Sequence, residues 1–589
     1  MRNVLCFVLL VPILALAAGK TQPVTALAPE NGTMNVASSP VATPAAQGQP
    51  DIPARILVGT LDTIGGTTYD WWTNGPRLRA LVNSPAYGVH AIWMYSTATT
   101  GTDFTDRNMR YNFYDKTTHA WNWLGPDYMA DDGVNVFDKR AGYGSLDVDS
   151  TGIAIVSAHV ASGSNVVPRL AKDAAPGAGI FTYVDGEPVL GVCQWLPLAV
   201  GQDGQINVFP ITAAYQLSYS RIKADSSTFS SPILVNPSPG FPTHNIAASK
   251  VSGKIALVWE ISTDDPQDAY MQTSTDKGAT WTSAAVLQPP SAFGTDTVTA
   301  YHITSLFPWY DGNDRLHIVT LLNPEVNDTV YIIPSQLWHY CPDNTPQWSR
   351  ITIAGCAPAN LQAAVGYNAS YACRPTIGSG KNGDLFVAWE QFDSANVEAT
   401  TSRLRADIFI SGSPDNGVTW ADTALKLTNA GTHSMRFPSI IDKAIDGGSG
   451  PDTVMVLYED DSISGFFVQG EGPASRNPVV VQKITTSQIP KGVPGVAEHL
   501  TVPVRLSTAA EPNPFGGRTR ISYTLPRSGN VSLVVYDAAG RPVQTLASGR
   551  RDAGRYTAVW DAKSAAAGVY FFKLTCDKAT VTKKLILAD

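Results

Sequence analysis

Charge is scarce in this 589-residue chain: Asp, Glu, Lys and Arg make up 16% of it, against about 25% in an average globular protein. The balance is acidic, with a formal net charge of -8. That argues against nucleic acid or an anionic membrane surface as the main partner, because both reward clustered Lys and Arg. Long apolar runs are missing too. Beyond the N-terminus no segment reaches the ~18 uninterrupted apolar residues of a membrane span. From Asp51 to Gln488 apolar residues never recur at i, i+3, i+4 and i+7 over three turns, so amphipathic helices are not expected. Cysteine is sparse, 6 in all, with no C-x-x-C or His-rich spacing to make a zinc site. No D-x-D-x-D-G run supplies a calcium loop, and no metal or cofactor is expected.

What is present begins with an export signal. Arg2, an apolar run from Val4 to Leu16 and the small residues Ala15-Leu16-Ala17-Ala18-Gly19 make residues 1–18 a signal peptide, too short for a permanent span. Residues 19–50, rich in Ala, Pro and Thr without apolar periodicity, read as a flexible leader. Five cysteines remain once Cys6 leaves with the signal. Of these, Cys341, Cys356 and Cys373 are close enough in sequence for one local disulfide in an exported protein.

A repeat organises residues 51–490. A turn signal followed by an apolar strand recurs at Gly88 (VHAIW), Gly152 (IAIV), Gly204 (QINVF) and Gly253 (KIALVW), then at Asp314 (RLHIV), Gly383 (DLFVAW) and Asp452 (TVMVLY). Intervals of 49 to 69 residues suit four short antiparallel strands with their turns. Such sheets cannot bury both faces alone and must pack radially. The expected fold class is therefore all-β: a seven-bladed β-propeller, with six blades as the alternative.

Two segments fit S-x-D-x-G-x-T-W at every defined position, Ser274 to Trp281 and Ser413 to Trp420. The pattern resembles the Asp-box, or BNR, repeat of sialidases and related propellers. The resemblance implies a structural role for Ser274, Asp276, Gly278, Trp281, Ser413, Asp415, Gly417 and Trp420. The carboxylate would accept backbone N–H groups of a hairpin turn, Gly would take positive φ, and Trp would pack beneath. Beyond about residue 502 the repeat stops. Residues 503–589 show period-2 strands with a turn about every ten residues, which predicts a small Ig-like β-sandwich. Its ordered strings NPF, VYDAAG, GVYFFKL and TKKLIL resemble the type IX secretion system type A sorting domain, itself similar to the flagellar-hook FlgD Ig-like domain. That resemblance implies engagement of the outer-membrane secretion machinery and a secreted or cell-surface location.

Seven residues beyond their anchors, Glu260, Glu390 and Glu459 share one rim with His159. The starts of the preceding strands bring His244, His302, Arg374 and Arg436 to the same face, with Arg77 as a fifth basic group. These residues form a candidate ligand rim suited to a glycan or an anionic ligand. Sialidase chemistry fits poorly: the family's Arg-Ile-Pro signature is reduced to Arg55-Ile56-Leu57, and that family has six blades. Glu260 and Glu390 also follow Trp259 and Trp389 as repeat copies would. The expectation is a non-catalytic glycan- or protein-binding module at the cell surface. A secreted glycoside hydrolase and a structural surface-layer protein are the alternatives.

Overall fold

The computed structural model describes residues 55–588 apart from 74, 102, 225, 238–241, 262–268, 289–299, 327–328, 331–334, 355–364, 367–368, 495–506, 526–528, 552–553 and 577–578. The expected signal peptide, the leader and Cys356 lie outside the described residues. Cys341 and Cys373 are buried free thiols, so no disulfide joins them. The chain divides into two compact units.

In the first unit, seven sheets of four or more strands follow one another along the described residues. Their first strands are Leu81–Ser84, Ala141–Val148, Leu198–Val200, Pro242–Ala248, Ala300–Tyr310, Ala372–Ser379 and Ser434–Ile440. All seven anchors of the sequence repeat lie where the chain enters a second strand. Each sheet packs on the next, and the seventh returns to the first. There the Ala80 N–H donates to Ser439 Oγ at 3.1 Å and the Asn83 N–H to Asp442 Oδ1 at 2.7 Å. This is an all-β propeller. Because each sheet is covered on both faces, the second strands read as continuous apolar runs without alternation: all eight residues of Gly88–Tyr95 are buried.

Two devices hold the ring. Thr60–Thr67 pairs antiparallel with Asn477–Thr485, from Thr60 opposite Lys483 to Thr67 opposite Asn477, so an early strand completes the last sheet. Near the first sheet, the Arg79 guanidinium donates to Ile440 O at 3.3 Å and Ile377 O at 3.1 Å. It also stands 4.8 Å from the Phe307 ring. One side chain thus ties segments of the first, fifth, sixth and seventh sheets.

The two S-x-D-x-G-x-T-W segments form matching turns. Asp276 Oδ1 accepts the Ser274 hydroxyl at 2.8 Å and the Thr280 N–H at 2.8 Å, and Oδ2 accepts the Thr280 hydroxyl at 2.6 Å. Asp415 repeats this with Ser413 and Thr419 at 2.9, 2.8 and 2.7 Å. Gly278 and Gly417 have φ of 76° and 80°. A Cβ on Gly278 would meet the Tyr219 hydroxyl at 2.1 Å, and one on Gly417 the His339 ring at 2.2 Å. Both conformation and space therefore demand glycine. Trp281 packs edge-on against Tyr219, 4.7 Å between centroids, and Trp420 donates to Ser349 Oγ at 3.0 Å.

The second unit is a β-sandwich. A three-stranded sheet of Ser507–Glu511, Arg518–Leu525 and Gly554–Asp561 faces a four-stranded sheet of Pro542–Arg551, Gly529–Asp537, Gly568–Cys576 and Ala579–Leu587. Period-2 alternation turns Ile521, Leu533, Val535, Trp560, Phe572 and Leu574 into one core.

Candidate functional site

The site is built by a repeated bulge. The first strands of the second, fifth, sixth and seventh sheets shift register between Gly142 and Ser145, Thr304 and Phe307, Cys373 and Thr376, and Arg436 and Ser439. Each shift starts opposite the seventh residue past an anchor: His159, Leu321, Glu390 and Glu459. Inside the bulges Tyr143, Ser305, Arg374 and Phe437 take φ of 55°, 59°, 55° and 57°, and Trp195, between strands Cys193–Gln194 and Leu198–Val200 of the third sheet, takes 40°. Left-handed backbone costs a non-glycine residue of the order of 1 kcal/mol or more. A bulge re-aims the side chain it carries. Here the re-aimed side chains enter two adjoining groups.

The first group is a pocket with Trp72, Tyr143, Trp195, Pro197, Thr243 and His244 among its walls. Trp72 stacks its far face on Phe437 at 5.7 Å and 13°, and its indole N–H donates to Tyr69 O at 2.9 Å. The Tyr143 and Tyr69 hydroxyls are 2.9 Å apart, and Arg107 donates to the Tyr69 hydroxyl at 3.2 Å. His159 lies behind Tyr143, 5.4 Å between rings and 3.5 Å from Arg107 Nη2. Burial first, and the Arg107 charge second, hold His159 well below the ordinary imidazole range. Burial pushes His244 down to about 4. Both rings are neutral at pH 7. Behind the pocket Thr243 donates its hydroxyl to Glu260, whose Oε2 has no partner among the described residues. Burial lifts Glu260 to about 8, against the pull of Thr243 and of the Ser305 backbone N–H, so this carboxyl is protonated at neutral pH.

The second group is ionic and fully buried. Glu390 accepts from Arg374, from Arg436 at 3.4 Å, from the Cys373 thiol at 3.2 Å and from the Phe437 N–H at 2.6 Å. Burial alone would raise its pKa; the two arginines, together with the hydrogen bonds from the Phe437 N–H and the Cys373 thiol, hold it below the ordinary carboxylate value. Glu459 accepts from Asn477 at 2.9 Å. Burial, then the neighbouring Asp461 and Asp70, raises Glu459 well above its ordinary value, while burial takes Asp461 to about 7. Asp70 caps the backbone N–H groups of Phe467 and Val468 at 2.5 and 3.2 Å. Arg77 donates to Phe437 O at 3.2 Å with its guanidinium 5.4 Å from the Trp72 ring. Trp72 therefore divides the pocket from the ionic group.

Of the rim residues read from the sequence, Glu390, Arg374 and Arg436 converge, with Glu459 beside them. His244 lines the pocket, while Glu260 lies behind its Thr243 wall and His159 behind Tyr143. His302 is half-buried opposite Asn323 and is not among the pocket's lining side chains. The residues that sequence reading missed are Trp72, Tyr143, Trp195, Tyr69, Asp70, Asp461 and Arg107. The segment Tyr69-Asp70-Trp71-Trp72 carried a usable signal, an aromatic cluster ahead of the first repeat. No periodicity could mark the bulges. Among the described residues no three His, Cys, Asp or Glu side chains are grouped to hold a metal ion.

The family model of the secretion system C-terminal sorting domain matches residues 511–588. The chain thus carries a type IX sorting domain and is a secreted protein, and the domain implies interaction with the secretion machinery. Among the described residues no helix is long and apolar enough to cross a membrane. No curated protein matches the chain. Among solved structures it is similar to an ulvan lyase of a new polysaccharide lyase family: 12% identity, TM-score 0.43, over 70% of this chain and 100% of that one. It is similar to the six-bladed fucose-recognising lectin of Aleuria aurantia at 15% identity and TM-score 0.32, over 60% and 96%. An α-L-arabinofuranosidase from Podospora anserina shares 10% identity at TM-score 0.28, over 58% and 89%.

Proposed function

We propose that this secreted protein is a seven-bladed propeller that binds a saccharide, without turning it over, in the pocket between Trp72 and Trp195. One observation carries the reading: aromatic faces and neutral hydrogen-bonding groups converge on a single cavity. Trp195 and Tyr143 line the cavity with aromatic surface for the C–H faces of a sugar ring, with the edge of Trp72 beside them, and Thr243, whose hydroxyl donates to Glu260, keeps lone pairs for a sugar hydroxyl. The charged residues lie behind Trp72 and are engaged there: Arg374 and Arg436 hold Glu390, Arg77 donates to Phe437 O, and Glu459 accepts from Asn477.

Glu260 supports a second reading, a glycoside-active enzyme. A carboxyl kept protonated to about pH 8 has the state a general acid needs. Calorimetric titration with a saccharide panel, run beside a turnover assay on the same compounds, separates the two. Binding without product, weakened about tenfold by Trp195→Ala, is the expected result. Product formation abolished by Glu260→Gln would establish the enzyme, and neither binding nor turnover would leave a structural surface-layer role.

A further inference from the structure

The basic character of the second unit is hidden by the whole-chain charge. Residues 511–589 contain twelve Lys and Arg against six Asp and Glu, a formal +6, while the preceding 510 residues hold 30 against 44, or -14. The two outer faces of the sandwich divide this charge unequally. On the three-stranded sheet, Arg518 is ion-paired with Asp561 at 2.7 Å, as on an ordinary solvated face. The four-stranded sheet differs.

Register places the outward residues of that sheet in rows. Tyr536 stands beside Phe571 and Phe571 beside Lys584; Val534 stands beside Lys573; Val569 stands beside Ile586. Val569 and Phe571 are 41% and 36% exposed, although an outward sheet position is ordinarily polar. The remaining outward positions of the four strands are Asn530, Ser532, Pro542, Thr545, Ser548, Arg550, Thr575, Thr580 and Thr582, so the face carries three cations and no carboxylate. An aromatic and aliphatic stripe flanked by long cationic side chains is the pattern of a surface that rests in a lipid headgroup layer. Rings and aliphatic groups reach the acyl boundary, and ammonium groups extend to phosphates.

We propose that the outer face of the four-stranded sheet of residues 529–587, centred on Phe571, Lys573 and Lys584, docks the protein on an anionic lipid surface. Charge complementarity selects that occupant: three cations around an apolar centre, with no carboxylate at the outward positions of the described strands, match a negatively charged headgroup layer with hydrocarbon beneath it. A neutral membrane lacks the first component and an acidic polypeptide need not offer the second.

The test is co-sedimentation of the full chain with vesicles of phosphatidylcholine alone, or with about one third phosphatidylglycerol added. Binding to the anionic vesicles that weakens with rising salt is expected, with little binding to the neutral ones. Lys573→Glu with Lys584→Glu should weaken anionic-vesicle binding by about thirty-fold or more, from ~1 kcal/mol per basic residue near such a surface. Lys573→Arg with Lys584→Arg should retain it, as should Arg518→Glu on the opposite sheet. Thermal melts of every variant show that the sandwich is intact. Equal binding to both vesicle types, or unchanged binding by the charge-reversed variant, overturns the proposal. So does the absence of vesicle binding when the face variants still block secretion, which would assign the face to a protein partner. None of these readouts involves the saccharide pocket.

Discussion

Replacing Glu260 by Gln tests the electrostatics behind the pocket. Burial lifts this carboxyl from the ordinary 4.5 to about 8, so between those values the folded protein holds a proton that the unfolded chain has released. A raised acid contributes stability that is fully present below the unfolded value and is lost as pH climbs through the folded one. Wild-type stability must therefore fall between about pH 4.5 and 8. At ~1.4 kcal/mol per decade, about three and a half decades set a ceiling near 5 kcal/mol. Water drawn in on ionisation will reduce that figure. Glutamine keeps an acceptor for Thr243, carries no charge and lacks this slope. In guanidinium unfolding at pH 5, 7 and 9 the two proteins should be nearly equally stable at pH 5. At pH 9 the Gln variant should be ahead by more than about 2 kcal/mol. Parallel pH profiles would refute the assignment of Glu260 as a buried, protonated acid.

Further outcomes follow from the same geometry. Arg79→Met removes the hydrogen bonds to Ile377 O and Ile440 O and should lower propeller stability by about 3 kcal/mol, read as a lower unfolding midpoint. Asp415→Ala strips a turn of its three Asp-centred bonds and should cost about 1–2 kcal/mol while leaving saccharide binding intact. Glu390→Gln leaves Arg374 and Arg436 without their shared anion and should cost about 3 kcal/mol. A variant as stable as wild type would show that the arginines find another counter-charge. Deleting residues 503–589 should retain the protein inside the cell envelope, and normal appearance in the medium would remove the secretion role of the tail.

The architecture was legible because it rests on repetition. Turn signals at Gly88, Gly152, Gly204, Gly253, Asp314, Gly383 and Asp452 each lead into the second strand of a different sheet, and the tail announced its own strands by period-2 alternation. The site was legible only in part. Counting seven residues past an anchor found Glu390 and Glu459. Which first-strand side chains meet them depends on a bulge that leaves no periodic trace. Arg374 reaches Glu390 because its φ of 55° turns it inward across a broken register. Tyr143 reaches the pocket in the same manner, and Trp195 through a φ of 40° without a register shift. Trp72 belongs to no strand at all, so strand counting could not find it. Whole-chain charge also concealed a basic module, since an acidic body and a basic tail average to a modest net value.

The measurement that bears most directly on the account is calorimetric titration of the full chain and of Trp195→Ala with a panel of neutral and acidic oligosaccharides. Saturable binding of at least one saccharide, weakened about tenfold by the substitution with no product formed, is the predicted result. Saturable binding that the substitution leaves unchanged would contradict it, because the ligand would then sit away from the aromatic walls of the pocket.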